Sequence, residues 1–197
     1  MTPGTRYISL VPVGPVEEGI VAELSTMVSQ EFSVDVQTMA TLNEPEQAYD
    51  PQRNQYSSTI LLRDLVQRCP ENAMRMLAVT EKDLFIPMLS FIYGQAQLGG
   101  TVSVVSLARL RQEFYTLPPN RPVLMGRLKK EAFHELGHTF GLVHCLERSC
   151  PMSLATNIRQ LDLKGSDFCR ACLSILRESF DAVYRHSTEQ LPTEKRQ

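Results

Sequence analysis

The chain has 197 residues and a mass of 22.3 kDa, which is the size of one domain. Hydrophobic residues make up 43% and charged residues 21%, which is typical of a globular protein and excludes an intrinsically disordered one. The formal net charge is −2, so no basic field indicates nucleic acid or an anionic membrane as the main partner.

Hydrophobic periodicity predicts alternating strands and helices from the start of the chain. Apolar residues recur at helical spacing over 16–31 and again before Cys69-Pro70, which indicates two amphipathic helices. The polar segment 43–54, with its two prolines, is predicted to be a loop. Strands are predicted around these helices at 7–13, 32–39 and 74–80.

A hairpin is predicted next, in which 89–97 and 101–107 pair through a turn at Gly99-Gly100. The order β-α-β-α-β-β-β indicates an α/β (α+β) fold with a mixed, twisted sheet that carries helices. One late strand is expected to run antiparallel at the edge of this sheet.

Two more helices are predicted after the punctuating segment 116–122. The first spans about 122–140, and the second runs from about 166 to 186 after an irregular stretch. The apolar face of the last helix is predicted to consist of Phe168, Cys172, Ile175, Leu176, Phe180 and Val183. We expect a single domain over 1–197, with an N-terminal lobe (1–141) and a small C-terminal lobe (142–197).

Three of the four histidines lie in one short segment, HELGHTFGLVH. His134 and His138 are four residues apart on a helix, so their imidazoles can reach one ion. Gly141 can end this helix in a left-handed turn, which would return the chain so that His144 supplies a third nitrogen. Three imidazoles leave a fourth position for water, which is the pattern of a catalytic zinc site.

Glu135 directly follows the first of these histidines. At this position in zinc peptidases, the glutamate does not bind the metal but accepts the proton of the attacking water. The alternative is that the histidines only pack or face solvent. Histidine is scarce in this chain, so three histidines at the spacing of the motif are not expected by chance. This favours the metal site.

Four of the five cysteines form two pairs, Cys145-x₄-Cys150 and Cys169-x₂-Cys172, which 18 residues separate. This spacing is typical of a structural four-cysteine zinc site, and two disulfides are the alternative. The remaining thiol, Cys69, is predicted to be buried and inert. Cations close in sequence that could offset the thiolate charge are Arg148, Lys164 and Arg170.

The histidine and cysteine motifs together resemble those of the archaemetzincins, a family of metzincin zinc peptidases. HELGHTFGLVH is similar to the extended metzincin zinc motif. Met152 stands eight residues after His144, where that superfamily has a methionine turn beneath the zinc. The stretch LDLKGSDFCRAC (161–172) is similar to the family's approach to its last helix.

The resemblance implies a compact metzincin fold with a horizontal cleft and a peptidase activity. It implies one catalytic zinc on His134, His138 and His144, with Glu135 as general base, and one structural zinc on Cys145, Cys150, Cys169 and Cys172. Met152, and Gly141 at the end of the helix, would support the active site. Leu154 occupies the position where some metzincins have a tyrosine that joins the zinc, so that ligand is missing.

The resemblance also places an edge strand over the cleft at 91–97. An extended peptide could pair with its main chain at Phe91, Ile92, Tyr93, Gly94 and Gln95. Loops 40–55 and 145–165 are expected to set the depth and specificity of the cleft.

Peptide or protein substrates are therefore the expected partners, with no role for nucleic acid or membrane. We find no secretory signal in Met1–Leu10 and no apolar stretch of about 20 residues, so we expect a cytoplasmic protein, with a monomer favoured. The competing hypotheses are a catalytically silent peptide-binding zinc protein of the same fold and a zinc-stabilised nucleic-acid module.

Overall fold

Eight strands and five α-helices make up residues 6–188, the part of the chain that the computed structural model describes. The strands are β1 (Tyr7–Val13), β2 (Asp35–Thr38), β3 (Tyr49–Asp50), β4 (Gln55–Ser57), β5 (Ala73–Thr80), β6 (Leu84–Phe85), β7 (Gly94–Ala96) and β8 (Val102–Ser106). The helices are α1 (Glu18–Phe32), α2 (Ser58–Arg68), α3 (Arg121–Thr139), α4 (Ile158–Leu163) and α5 (Arg170–Thr188). None of the described helices combines the length and the apolar character needed to cross a bilayer.

The central sheet has five strands in the order β2-β1-β5-β8-β7. Only β7 runs antiparallel to its neighbour, and it lies at the edge, which confirms the predicted mixed sheet. The central strands are apolar on both faces because helices cover both faces. Ile8 and Leu10 belong to the core shared with α1 and α3, whereas Val11 and Val13 belong to the core shared with α2.

Two predicted strands are shorter than the sequence pattern suggests. Phe32 ends α1 and packs among the rings of Phe133, Phe140 and Phe168, so β2 begins only at Asp35. The predicted strand 89–97 contains regular pairing only at Gly94–Ala96.

A second, three-stranded sheet in the order β3-β4-β6 was not predicted. Its first strand lies in the segment 43–54, so the prediction of a plain loop there is wrong. Strands of two or three residues are too short to show a hydrophobic period. This sheet matters for the site because β6 leads directly into the segment before β7.

Helix α3 begins and packs as its sequence indicates. The Asn120 side chain caps it by accepting a hydrogen bond from the Val123 amide at 3.1 Å, and Pro122 lies in the first turn. One apolar row with a spacing of four residues faces the core and is buried: Leu124, Leu128, Ala132 and Leu136.

The chain after α3 is more regular than predicted. Helix α4, capped by the Asn157 side chain, interrupts the segment that was expected to be irregular. Helix α5 begins at Arg170, so Phe168 is buried ahead of the helix. Ile175 is 46% exposed and does not belong to the apolar face, while the side chain of Val183 lies outside the described residues. The division into lobes 1–141 and 142–197 stays a prediction.

Candidate metal centres and cleft

The end of α3 reverses the chain in a Schellman turn centred on Gly141. The Leu142 amide donates to the Gly137 carbonyl and the Gly141 amide to the His138 carbonyl, both at 3.0 Å. Gly141 has φ +89°, a left-handed conformation that glycine adopts without strain. The turn places His144 beside the two helical histidines, as the sequence predicts.

The three histidine side chains form one cluster in which a ring nitrogen of each lies within 4.8 Å of the others. The Nδ1 atom of His134 bonds the Pro151 carbonyl at 2.9 Å, and that of His138 bonds the Leu142 carbonyl at 2.7 Å. The Nε2 atoms of these two rings are 3.0 Å apart and free to share an ion. Backbone carbonyls thus fix the tautomer and orientation that a metal ligand requires.

The cluster fits zinc by its donor chemistry. A tetrahedral zinc with bonds of about 2.0–2.1 Å holds its imidazole nitrogens about 3.3 Å from one another. Burial holds the pKa of His134 well below its usual value, and it also lowers the pKa of His138 and His144. The neutral imidazole is the form that binds metal.

The Glu135 carboxylate lies in a buried position between α3 and β7. Burial and the neighbouring Glu131 carboxyl raise its pKa well above the usual value, while the Lys164 ammonium opposes that shift. A Cβ atom on Gly94 would lie 2.6 Å from Cγ of Glu135 and 2.7 Å from the Val104 carbonyl oxygen. The edge strand therefore lies so close to Glu135 that only glycine, which has no Cβ atom, fits at position 94.

Met152 lies beneath the histidine helix and is fully buried. Its sulfur would be 2.5 Å from a Cβ atom at Gly137, so a helical glycine makes room for it. The Met152 carbonyl also accepts a hydrogen bond from the Cys145 amide at 2.9 Å. The methionine turn thus contacts both the helix and the first cysteine.

The four clustered cysteines bring their sulfur atoms within 4.8 Å of one another. The Cys145 and Cys169 sulfurs are 3.8 Å apart, and all five cysteines are free thiols, so the alternative of two disulfides is not what the structure contains. Zinc–sulfur bonds of about 2.3 Å in a tetrahedron require a sulfur separation of about 3.8 Å. Cys169 precedes α5, and hydrogen bonding from the Cys172 amide lowers its pKa.

A cleft of about 370 Å³ runs between the edge strand and the methionine turn. Its floor holds the three histidines and Glu135, and one wall is formed by Leu89–Ala96, which includes all five predicted edge residues, Phe91, Ile92, Tyr93, Gly94 and Gln95. The opposite wall is Leu154–Thr156, where Leu154 is 59% exposed and offers no metal ligand. No residue of 40–55 lines this cleft, but Arg53 and Gln55 donate hydrogen bonds to the Leu89 and Ser90 carbonyls of its wall. The expectation that this loop helps to set the depth and specificity of the cleft stays a prediction.

Two cleft residues, Glu131 and Lys164, were not predicted for this role. Glu131 lies one turn before Glu135 and is buried, a pattern visible in the sequence as a second acidic residue on the same helical face. Lys164 is only 4% exposed, and its Nζ donates to the Pro151 carbonyl at 2.9 Å, the same carbonyl that holds His134. The charges of Glu131, Glu135 and Cys150 all raise the pKa of Lys164 against the lowering effect of burial, so its electrostatic partners are not the cysteines alone.

Comparison with known proteins identifies one family of peptidases. The sequence model of peptidase family M54 matches residues 22–178. The archaemetzincin of Methanocaldococcus jannaschii is 39% identical over 171 residues, which are 87% of this chain and 93% of the relative. The archaemetzincin of Pyrococcus furiosus is 38% identical over 90% of this chain and 95% of its own length.

Comparison with solved structures also identifies archaemetzincins. The crystal structure of archaemetzincin from Methanopyrus kandleri superposes with a TM-score of 0.78 at 34% identity, over 91% of this chain and 97% of that one. Archaemetzincin from Archaeoglobus fulgidus, solved as a malonate complex, gives a TM-score of 0.75 at 30% identity, over 86% and 99%. Because the family match covers most of the chain, this protein belongs to peptidase family M54, the archaemetzincins, a family of zinc metallopeptidases.

Proposed function

We propose that the chain hydrolyses peptide bonds of a peptide or protein in its cleft, as a metzincin-type enzyme with Glu135 as general base. The observation that carries this proposal is the juxtaposition of a buried carboxylate with three converging imidazoles beneath an edge strand. His134, His138 and His144 would hold the catalytic zinc. When bound, zinc supplies Lewis acidity that polarises water and the peptide carbonyl.

Glu135 would move the proton in this reaction. Its carboxylate accepts a proton from the attacking water and then passes that proton to the leaving amine. Met152 supports the floor by packing under α3, and Gly141 supports it by returning the chain to His144.

The substrate would lie along β7 in an extended conformation. β7 is the last strand of the central sheet, so one side of Gly94–Ala96 faces the cleft instead of another strand. The Gln95 side chain accepts a hydrogen bond from the Ser58 hydroxyl at 2.6 Å. Main-chain bonding alternates along a strand, and the Tyr93 carbonyl accepts a hydrogen bond from the Ser106 amide of β8, so Gln95 also bonds β8. The main-chain groups left for the substrate are therefore those of Gly94 and Ala96.

The decisive test is Glu135→Gln with a defined peptide library. We expect the hydrolysis rate to fall by about 10³-fold or more while the zinc content stays unchanged, because the carboxamide cannot accept the proton. Glu71→Gln, which changes an exposed glutamate in the turn before β5, is the control and should keep the parent rate. A parent protein that binds peptides but cleaves none would favour the catalytically silent alternative.

We also propose a second, structural zinc on Cys145, Cys150, Cys169 and Cys172. The sulfur separation and the proximity of all four thiols support it. Elemental analysis should find about two zinc ions per chain, because each donor set is sufficient for one ion. His138→Ala should remove one ion, and Cys172→Ser should weaken the other, whereas Cys69→Ala should retain both. One zinc that survives replacement of all four cysteines would contradict the structural site.

A further inference from the structure

The cleft wall segment, residues 86–93, connects β6 to β7 and contains little regular structure of its own. Within it, the Leu89 amide bonds the Ile86 carbonyl at 3.0 Å, and the Ile92 amide bonds the Leu84 carbonyl at 2.9 Å. Met88 is 86% exposed and Leu89 50% exposed. A segment with so few internal bonds needs support from elsewhere to hold a fixed position beside the substrate.

An ion pair behind the cleft wall segment provides this support. Arg109 binds Asp83 with both ends of its guanidinium, through Nε at 2.7 Å and Nη2 at 2.8 Å. The Gln55 amide nitrogen donates to the same carboxylate at 2.8 Å and to the Ser90 carbonyl at 3.0 Å. Gln55 therefore connects the ion pair to the main chain of the wall. These groups are mostly shielded from water. Charge-assisted, bidentate hydrogen bonds are strong, and shielding from water strengthens them further.

The same guanidinium also holds the aromatic side chain of the wall. Its central carbon lies 4.1 Å from the centre of the Phe91 ring and 4.6 Å from that of Phe114. Phe91 in turn packs edge-on against Tyr93 at 5.2 Å. Phe91 and Tyr93 line the cleft, whereas Arg109 does not, so Arg109 acts on the cleft only through its neighbours.

We infer that Arg109 is a positioning residue that fixes the cleft wall segment for substrate binding, with Asp83 and Gln55 as its partners. This inference rests on the proposed peptidase function. The planar guanidinium stacks on Phe91 while it holds Asp83, and lysine cannot reproduce both contacts. Without Arg109 the wall occupies its binding position for only part of the time, and the apparent affinity for substrate is multiplied by that fraction.

The test compares Arg109→Gln with Arg111→Gln in the zinc-loaded enzyme. Arg111 forms an equivalent two-pronged pair with Glu81 at similar depth, but its partners Glu81 and Glu113 lie outside the cleft wall segment. For Arg109→Gln we expect a KM about tenfold higher with kcat nearly unchanged. This is the change expected if the cleft wall segment occupies its binding position about a tenth of the time. Arg111→Gln should leave both constants unchanged, and Arg109→Lys should lie between the two.

Hydrogen–deuterium exchange gives a second readout that needs no catalysis. Amides of residues 86–93 should exchange faster in Arg109→Gln and Arg109→Lys, but not in Arg111→Gln. Unchanged exchange in both Arg109 variants, or equal KM changes in the Arg109 and Arg111 variants, would overturn the inference. If the parent enzyme cleaves no peptide, the proposed function fails, while the exchange experiment still decides whether Arg109 fixes the wall.

Discussion

Gly94 shows how a single backbone position controls the chemistry of the cleft. The residue lies where β7 meets the Glu135 side chain on one side and the Val104 carbonyl on the other. A flexible side chain can move away from a new methyl group, but a backbone carbonyl in a paired strand cannot. Even the smallest substitution therefore has to displace the edge strand, the glutamate or both.

We predict that Gly94→Ala lowers activity more than its stability loss alone explains. Overpacking of this kind costs about 1–3 kcal/mol in the free energy of unfolding. The control is Gly126→Ala within α3, where a Cβ atom meets nothing within 4 Å and where alanine should stabilise the helix by up to about 1 kcal/mol. Peptidase assays and urea unfolding of both variants check this. Parent-like activity of Gly94→Ala would show that Glu135 has room to move.

At this scale, sequence reasoning finds residues whose partners are close along the chain. The histidines and cysteines are placed together because one helix, one turn and two short spacings define their geometry. Lys164 and the close approach of Gly94 to Glu135 are different, because both depend on contacts between segments far apart in sequence. A lone glycine or a buried lysine has no local signal that reveals such a contact.

At the scale of elements, α4 is attached to α3 by one concentrated set of polar contacts. Arg127 binds Asp162 through Nε at 2.7 Å and Nη2 at 2.8 Å, and its Nη1 donates to the Leu110 carbonyl at 2.8 Å. The Arg127 side chain is 7% exposed and that of Asp162 is 43% exposed, so water can replace the bond to Asp162 but not the buried bond to the Leu110 carbonyl. Lys130 adds a further bond from α3, since its Nζ donates to the Asp162 carbonyl at 2.9 Å, so two neighbouring basic side chains hold α4.

Arg127→Gln should lower the free energy of unfolding by about 2 kcal/mol, because charge-assisted bonds are lost at a buried site. The matched change is Arg121→Gln on the same helix, whose pairs with Glu17 and Glu23 are exposed. That change should cost much less, because water and salt screen exposed ion pairs. Urea unfolding of both zinc-loaded variants measures the difference. Equal losses would mean that α4 is held mainly by apolar packing.

The elements that could be predicted are those long enough to show a period. β1, β5, α1 and α3 extend over several turns or pleats, and their limits fall close to the expected ones. The small sheet of β3, β4 and β6 and the six-residue α4 could not be predicted in this way. Their stability comes from tertiary contacts, such as that between Arg127 and Asp162, rather than from a pattern of their own.

At the scale of the whole molecule, two different donor sets adjoin at His144 and Cys145. One set offers nitrogen and lies open to the cleft, and the other offers sulfur and closes on itself. The cysteine set joins the segment after α3 to the start of α5, across the 18 residues that separate the two pairs. Metal binding there would contribute directly to the stability of the C-terminal part.

Thiol alkylation should distinguish the bound cysteines from the free one. In zinc-loaded protein, only Cys69 should react, and slowly, because burial raises the pKa of its thiol. After a chelator is added, the other four cysteines should become reactive, which intact-mass spectrometry can count. A Cys69→Ala variant should show no adduct before chelation. Labelling of Cys169 and Cys172 at the same rate with and without chelator would contradict metal binding by these thiols.

The hairpin that carries β7 is attached to α3 at both of its ends. At one end Gly94 lies against Glu135, and at the other the Gly99 amide donates to the His138 carbonyl at 2.8 Å. The edge strand and α3 should therefore move as one rigid body, and the gap between them has a constant width. Substrates of different thickness would then have to be accommodated by movement of the opposite cleft wall, residues 154–156, which does not belong to this rigid body.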